Sequence, residues 1–298
     1  HPVMGQLDVR DIEAEHVLKV LRPIWTEKPE TASRLRQRIE AVLDYATATK
    51  ARTGDNPARW RGNLDKVLAK PSKVRRVEHH AALPWREMGG FMAARARQEG
   101  MGALALGFTI LTAARSGEVR GATWCEIDMD AKVWTVPAAR MKAEREHRIP
   151  LSDAALQLLR RVEPLAADDP DAPVFPGGRG RPLSDMTLAA VVKRMHEADK
   201  ARGGKGYVDP ERDNQVVTPH GFRSTFRDWV SEATSYPGEI AEAALAHTIR
   251  NAVEAAYRRG DLFEKRRKLM DQWAEHCATP APAGEVVPIN RGRRATSA

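Results

Sequence analysis

Apolar residues recur every three or four positions along most of the chain, which is the spacing of an amphipathic helix. Within the first 70 residues the pattern is clearest after Thr31, a residue type that caps helices. One face of the helix that follows carries the apolar residues Leu35, Ile39, Val42 and Leu43. Arginines occupy its other faces, so the pattern predicts a small helical domain with a basic surface.

A different pattern interrupts the helical one between residues 123 and 151. Short runs of Thr, Val, Ile and Trp alternate in Thr123-Trp124, at 133–136 and at 147–151, and they predict a small antiparallel sheet of about three strands. Helices are predicted at 101–114, 152–163, 184–199, 219–233, 238–246 and 251–276, the last broken near Gly260. The glycine-rich, charged segment 201–215 is predicted to be a loop. The fold class is therefore mainly α with a small antiparallel β-sheet (α+β).

Composition divides the chain into two domains and a tail. Asn56-Pro57 and the basic stretch 66–76 are typical of a linker, which places a domain boundary at 70–80. We predict a helical domain at 1–75 with its linker reaching about residue 80, and a larger domain at 81–277. The tail at 278–298 is rich in Pro and Ala and carries Arg291, Arg293 and Arg294, so we expect it to be disordered.

Charge and cysteine content narrow the functional class. The chain has 298 residues and a formal net charge of +8, which favours a polyanionic partner and most often a nucleic acid. Its two cysteines, Cys125 and Cys277, lie far apart and form no CxxC pair, which argues against a disulfide framework. No apolar run approaches the roughly 20 residues of a membrane span. We therefore expect a cytoplasmic, nucleoid-associated protein.

The segment Thr218-Pro219-His220-Gly221-Phe222-Arg223 has the features of a phosphate site at a helix N-terminus. Thr218 is a good cap and Pro219 a good first helical residue, so His220 and Arg223 would share one face. The opposite face would bury Phe222, Phe226 and Trp229. The alternative is an ordinary surface helix with a capping histidine.

Two further cations come earlier in the chain. Arg115 follows the apolar stretch at 101–114, where a buried guanidinium needs an anionic partner. Glu118 could be that partner, or it could orient Arg115 towards a phosphate, and both can hold at once. Lys142 lies at a predicted hairpin tip, where a lysine is either simply solvated or, if the hairpin reaches DNA, a general acid.

A late tyrosine, Tyr257, lies ten residues after His247. Asn251 and Glu254 resemble a capping box, so a short helix is predicted to carry Tyr257 and to end at Gly260. A free phenol titrates near pH 10, and nearby cations would favour its phenolate form. The alternative is a half-buried packing tyrosine. Taken together, a phenol and a spaced set of cations favour phosphodiester cleavage without a metal.

These segments, taken in order, resemble the tyrosine recombinase family of phage and genomic-island integrases, and they are most similar to the satellite-phage and genomic-island type. The resemblance extends over most of residues 7–277. It rests on these motifs: Asn56-Pro57-Ala58, Thr112-Ala113-Ala114-Arg115-Ser116-Gly117-Glu118, Arg140-Met141-Lys142, His147-Arg148-Ile149-Pro150-Leu151-Ser152, His220-Gly221-Phe222-Arg223, Leu245-Ala246-His247 and Ala256-Tyr257-Arg258-Arg259.

The resemblance implies a role for each matched residue. Arg115 and Arg223 would clamp the scissile phosphate, with Glu118 in support, and His220 and His247 would add hydrogen bonds. Lys142 would be the general acid, and Tyr257 would form a 3′-phosphotyrosyl intermediate. DNA contacts are expected from Arg34, Arg36, Arg38, Arg140 and Arg258. No metal and no cofactor would be needed.

The resemblance also implies an architecture and partners. The helical domain would be a core-type DNA-binding domain and the larger one the catalytic domain, without the N-terminal domain that binds arm-type sites. The expected partners are double-stranded attachment sites, three further copies in a tetramer on DNA, an excisionase and a host DNA-bending protein, and the free protein would be a monomer. The alternatives are a type IB topoisomerase-like strand transferase and a catalytically silent DNA-binding regulator.

Overall fold

The computed structural model describes residues 3–70, 80–166, 169–247 and 260–279. The chain divides into two compact units, His1–His79 and His80–Ala298. Within the described ranges, no helix combines the length and the apolar character that crossing a bilayer requires.

The first unit is built on two helices, α1 (Ala14–Trp25) and α2 (Pro29–Ala48). They pack around a small core of Val17, Leu21, Trp25, Ala32, Leu43, Ala58, Leu64 and Leu68. The ring of Trp25 stacks on Trp60 with centroids 5.7 Å apart, and its indole Nε1 donates to Ala69 O at 2.8 Å. These contacts tie the end of the unit back onto α1.

Three details of the sequence prediction for this unit are wrong. Helix α2 begins at Pro29 with Lys28 as its N-cap, rather than after Thr31, because proline is well suited to the first helical position. Val42 is 63% exposed, so the buried face is rotated away from it. Arg36 is only 7% exposed and donates to Glu40 at 2.6 Å and to Ala58 O at 2.8 Å. Arg36 is therefore part of the packing of the unit and not of its solvated basic face, and its DNA contact stays a prediction.

The two other arginines predicted on α2 are exposed. Arg34 pairs with Glu30 at 2.9 Å one turn earlier on the same helix, and Arg38 is also exposed.

Asn56-Pro57 is not a linker, because Asn56 is 3% exposed. Its amide donates to Glu40 O at 2.8 Å and to Asp44 Oδ1 at 2.7 Å, which anchors this segment on α2.

The second unit is organised around one apolar helix. Its helices begin with α3 (Met88–Ala96), α4 (Met101–Thr112) and α5 (Ser116–Arg120). They continue with α6 (Asp153–Val162), α7 (Thr187–Ala201), α8 (Gly221–Ala233), α9 (Gly238–Ala244) and α10 (Phe263–Ala278). Residues 105–112 of α4 are all buried, because α3, α6, α7 and α10 pack around it. A helix that is apolar on all sides belongs in such a central position.

The predicted three-stranded antiparallel sheet is confirmed, in the order β1 (Ile127–Asp128), β2 (Val133–Val136) and β3 (His147–Pro150). Its first strand begins after Thr123-Trp124, four residues later than predicted. Trp134 and Ile149 face each other on the buried side. The segment 201–215 also contains most of a short hairpin of β4 (Val208–Asp209) and β5 (Gln215–Val216), which the sequence did not predict. The mainly α fold class with small antiparallel sheets is confirmed.

The cap of α8 lies two residues after its predicted position, and α10 begins after the predicted break near Gly260. His220 is the N-cap of α8, and the hydroxyl of Thr218 accepts from Gly221 N at 3.0 Å. Leu262, with a φ of 56°, precedes α10, while Asp261 Oδ1 still accepts from Phe263 N at 3.2 Å. The predicted helix carrying Tyr257 and Arg258 lies outside the described residues. The tail was predicted at 278–298, but Ala278 still belongs to α10, and residues 280–298 lie outside the described ranges.

Candidate active site

A tight turn after α4 presents Arg115. Ala113 makes this turn, with a φ of 50°, whereas the nearby Gly117 lies inside α5. An alanine in the left-handed region costs about 1 kcal/mol, so the surrounding packing must hold it there. Ala113 is indeed only 2% exposed. The turn makes Arg115 the N-cap of α5.

Glu118 fixes the orientation of Arg115. Its carboxylate accepts from Arg115 Nη1 at 2.7 Å and from the backbone N of Arg115 at 2.9 Å. Glu118 is 6% exposed, whereas the side chain of Arg115 is 26% exposed. The other terminal nitrogen, Nη2, lies 3.4 Å from Ala246 O. The carboxylate therefore aligns a guanidinium that remains partly open to solvent.

Arg223 is the second guanidinium of the site and the more deeply buried one. It is 5% exposed on the first turn of α8 and donates to Ala113 O and, at 2.6 Å, to Leu245 O. Burial, followed by the charge of Arg115, lowers the pKa of Arg223 from its usual value to about 10, so the guanidinium stays charged at neutral pH. Among the described residues, no carboxylate forms an ion pair with it. Its charge is therefore available to an anion.

His247 is oriented by two residues that sequence reasoning did not single out, Glu242 and Arg227. Its Nδ1 lies 2.6 Å from Glu242 Oε2, and Glu242 Oε1 accepts from Arg227 Nε at 2.6 Å. Burial raises the pKa of Glu242, but these hydrogen bonds outweigh it and hold the pKa below its usual value. When Nδ1 carries the proton and donates it to the carboxylate, Nε2 is the acceptor of the ring. It then accepts from Arg223 Nη2, 3.4 Å away.

His220 lies where α8 begins. Its ring packs against that of His80, with centroids 4.5 Å apart at an angle of 61°. Although His220 is exposed, nearby protein atoms desolvate its ring. This burial, followed by the charges of His80 and Arg223, lowers the pKa of His220 from 6.5 to about 4. The imidazole is therefore neutral at physiological pH and can accept a proton.

His147 links the sheet to the site and was noticed in the sequence only as part of a motif. It begins β3, and its Nε2 lies 3.3 Å from Ala244 O, at the end of α9. We call residues 244–247 the 244–247 turn. Two other carbonyls of this turn, those of Leu245 and Ala246, accept from the guanidiniums of Arg223 and Arg115. Burial, followed by the charge of Arg266, lowers the pKa of His147 to about 4.

His147 should contribute to a fall in the free energy of unfolding between pH 6.5 and 4, in addition to His220, whose pKa is lowered in the same way. Its pKa is about 4 in the folded protein against 6.5 ordinarily, so the unfolded chain takes up the proton more readily. Stability is then lost as the pH falls through this window, by up to about 3 kcal/mol in total. Urea denaturation at several pH values, followed by tryptophan fluorescence, measures the slope. His147→Gln should reduce the slope without abolishing it, because the lowered pKa of His220 acts in the same direction, whereas His16→Gln in the first unit should not reduce it. Equal slopes for His147→Gln and the wild type would contradict this origin.

The hairpin residues are placed differently from the other predicted site residues. Arg140 Nη2 donates to Glu126 at 2.6 Å and Nη1 to Glu118 O at 3.1 Å, so its guanidinium supports the start of α5. Both terminal nitrogens of Arg140 thus have partners within the protein, and its DNA contact stays a prediction. Lys142 is exposed between β2 and β3, without a hydrogen bond or ion pair to the described part of the chain. Tyr257 and Arg258 lie outside the described residues.

The structure thus gathers four of the predicted residues into what we call the cationic cluster, namely Arg115, His220, Arg223 and His247. Glu118 orients Arg115, and Glu242 orients His247. Two guanidiniums and two imidazoles on neighbouring helix ends can surround the non-bridging oxygens of a phosphodiester. Charge that is fixed before the reaction stabilises the additional charge of a phosphoryl transition state.

Comparison with known proteins gives concordant matches. Residues 1–63 match the phage integrase central domain, and residues 87–262, more than half of the chain, match the phage integrase family. The prophage integrase IntA of Escherichia coli K12 is 32% identical over 96% of this chain and 64% of its own length. The integrase of Enterobacteria phage P4 is 29% identical over 92% of this chain and 61% of its own length. The chain thus spans less than two thirds of these relatives.

Solved structures share the fold. A lambda integrase dimer bound to a COC′ core site has a TM-score of 0.54 at 20% identity, over 87% of this chain and 84% of that one. A lambda integrase tetramer bound to a Holliday junction has a TM-score of 0.53 at 18% identity, over 82% and 66%. At these identities the likeness concerns the fold alone.

Proposed function

The chain belongs to the phage integrase family, and on that premise we propose that it is a site-specific DNA recombinase that integrates or excises a mobile element. It would act on double-stranded attachment sites, as a tetramer that holds two duplexes. The first unit would bind the core sequence and the second would carry the chemistry. An excisionase and a host DNA-bending protein are the proposed accessory partners, and the nucleoid is the proposed place of action.

The proposed reaction exchanges one phosphodiester for another. The phenol oxygen of Tyr257 attacks the scissile phosphorus, and His220, neutral at physiological pH, accepts the phenolic proton. The bond from phosphorus to the 5′ oxygen breaks, and Lys142 protonates that oxygen. A 3′-phosphotyrosyl bond and a free 5′ hydroxyl result. Attack by a 5′ hydroxyl of another strand reverses the steps, so the bond energy is conserved and no ATP is consumed.

The described part of the site fits the phosphate-binding half of this reaction. Arg115 and Arg223 supply charged donors, and Glu118 prevents Arg115 from adopting unproductive orientations. Because Arg223 is anchored on Ala113 O and Leu245 O, its fork is fixed before substrate binds. Little reorganisation would then be needed as charge develops on the phosphate.

The observation that carries the proposal is the meeting of three sequence-distant segments at the 244–247 turn. Arg115 and Arg223 both donate to carbonyls of this turn, and its last residue is His247. A chain that only bound DNA would not require two buried or half-buried guanidiniums to be supported from one loop. This arrangement favours a strand transferase over the silent regulator.

Covalent trapping tests the proposal. Duplexes from the junctions of the element that encodes the chain would carry a nick near the cleavage position, so that the short 5′-ended fragment diffuses away and religation fails. We expect an adduct between protein and DNA that survives SDS and is removed by protease. Absence of any adduct on all junction duplexes would contradict the proposal. Equal trapping on unrelated duplexes, with relaxation of supercoiled plasmids lacking a junction, would instead favour the topoisomerase-like alternative.

A further inference from the structure

The first described residues of the second unit, 80–83, run along the start of α8. Three hydrogen bonds fix them there: Thr218 N to Ala81 O at 3.1 Å, Ala82 N to Asp209 Oδ2 at 2.8 Å, and Thr225 Oγ1 to Leu83 O at 2.7 Å. A Cβ on Gly221 would overlap the carbonyl oxygen of Ala81, so only glycine permits this approach. The hydrogen bonds made by the backbone of residues 81–83 therefore set the position of residue 80, and its own side chain takes no part in them.

This packing brings His80 against His220. Their ring centroids are 4.5 Å apart and the planes meet at 61°. Within the described ranges neither ring makes a hydrogen bond, in contrast to His247, which is held by Glu242, and to His147, which contacts Ala244 O. His80 is thus the side chain in ring contact with His220 and limits the orientations of its imidazole.

We propose that His80 is a positioning residue of the active site, which holds the imidazole of His220 in place and opposes its protonation. The proposal rests on the recombinase function proposed above and extends it to a residue outside the family motifs. His80 acts through His220 and need not touch DNA itself.

The electrostatic surroundings support this role. The groups that face His220 are His80 from segment 80–83, Arg223 from α8, Arg115 from the start of α5, and His247 after α9. All of them are cations or can become cations, and each lowers the pKa of His220. Burial contributes most and His80 contributes the largest share among the charged groups. Two protonated imidazoles in ring contact would repel each other, which disfavours a proton on His220.

The direct test is an NMR titration of the DNA-free protein with ¹³C-labelled histidine, with the His220 signal assigned from His220→Gln. His80→Phe keeps an aromatic ring but removes the charge. We expect it to raise the midpoint of His220 by roughly one pH unit. His276→Phe is the matched control, because His276 also stacks on an aromatic ring, that of Trp229, outside the cationic cluster. An unchanged midpoint in His80→Phe would overturn the proposal.

Single-turnover adduct formation gives the functional readout. In His80→Phe the acid limb of the pH–rate profile should move up by the same amount as the midpoint, since the reaction uses neutral His220. His80→Ala should in addition lower the plateau several-fold, because the ring is then unsupported, while His276→Phe should keep the wild-type profile. His80→Gln serves as a second charge-removing variant if His80→Phe lowers the thermal stability.

If adduct formation has the same acid limb in the wild type and in these variants, the role of His80 is refuted and the recombinase function stands. Loss of the wild-type adduct itself would refute the function, and the NMR titration would still decide whether His80 opposes the protonation of His220.

Discussion

Replacing Arg223 by alanine is expected to slow strand cleavage between a hundredfold and a thousandfold, while leaving DNA binding largely intact. The estimate corresponds to about 3–4 kcal/mol, the typical effect of removing one preorganised donor from a developing oxyanion. Arg223 is 5% exposed and would be only one of the cations that face the DNA backbone, so its loss would change affinity little. Its fixed fork acts mainly on the transition state, and that is where its removal is felt.

The measurement compares single-turnover adduct formation with equilibrium binding to the same duplex. Because alanine leaves a cavity beside Ala113 and Leu245, Arg223→Gln should be measured in parallel, since it retains most of the volume and loses the charge. Arg120→Gln is the matched control, as Arg120 also donates to a backbone carbonyl, that of Leu183 at 3.0 Å, outside the cationic cluster. Near wild-type cleavage by Arg223→Gln in a folded protein would refute the clamp. Loss of binding in parallel with cleavage would make Arg223 a structural residue.

The site residues that could be predicted from the sequence are those whose signal is local. Arg115 and Glu118 are three apart, and so are His220 and Arg223, so helical spacing alone places each pair on one face. The apolar stretch around α4 likewise predicts a buried helix. For these elements, local propensity and tertiary packing favour the same structure.

The supporting residues depend on contacts between distant segments, which one sequence does not reveal. His80 precedes His220 by 140 positions and His147 precedes Ala244 by 97, so no spacing rule connects them. The left-handed Ala113 was missed because propensity assigns such a turn to glycine, whereas here packing of the turn overrides it. Arg36 was misplaced because an arginine on an amphipathic helix is usually solvated, and only Glu40 and Ala58 O explain its burial.

Tyrosines in the described ranges help to identify the nucleophile by contrast. Tyr45 is 71% exposed in the first unit. Tyr207 packs edge-on against Phe91 at 4.8 Å, and burial, followed by the charge of Asp199, raises its pKa, which is the opposite of what a nucleophile needs. Tyr236 is partly buried against the apolar core. Within the described part of the second unit, neither Tyr207 nor Tyr236 makes a hydrogen bond or ring contact with the cationic cluster, and Tyr257 stays the proposed nucleophile.

Tyr257→Phe is therefore expected to abolish the covalent adduct altogether, because the substitution removes the single attacking oxygen and leaves the ring. Binding to the nicked duplex should stay within about twofold of the wild type, since a hydroxyl contributes little to a contact dominated by phosphate charge. Tyr207→Phe and Tyr236→Phe are the matched controls and should form the adduct at the wild-type rate. Gel analysis after SDS treatment, with mass spectrometry of the peptide joined to DNA, identifies the residue. An adduct that persists in Tyr257→Phe and disappears in one of the controls would assign the nucleophile to that other tyrosine. The cationic cluster would then have to act on a phosphate attacked from a different part of the chain.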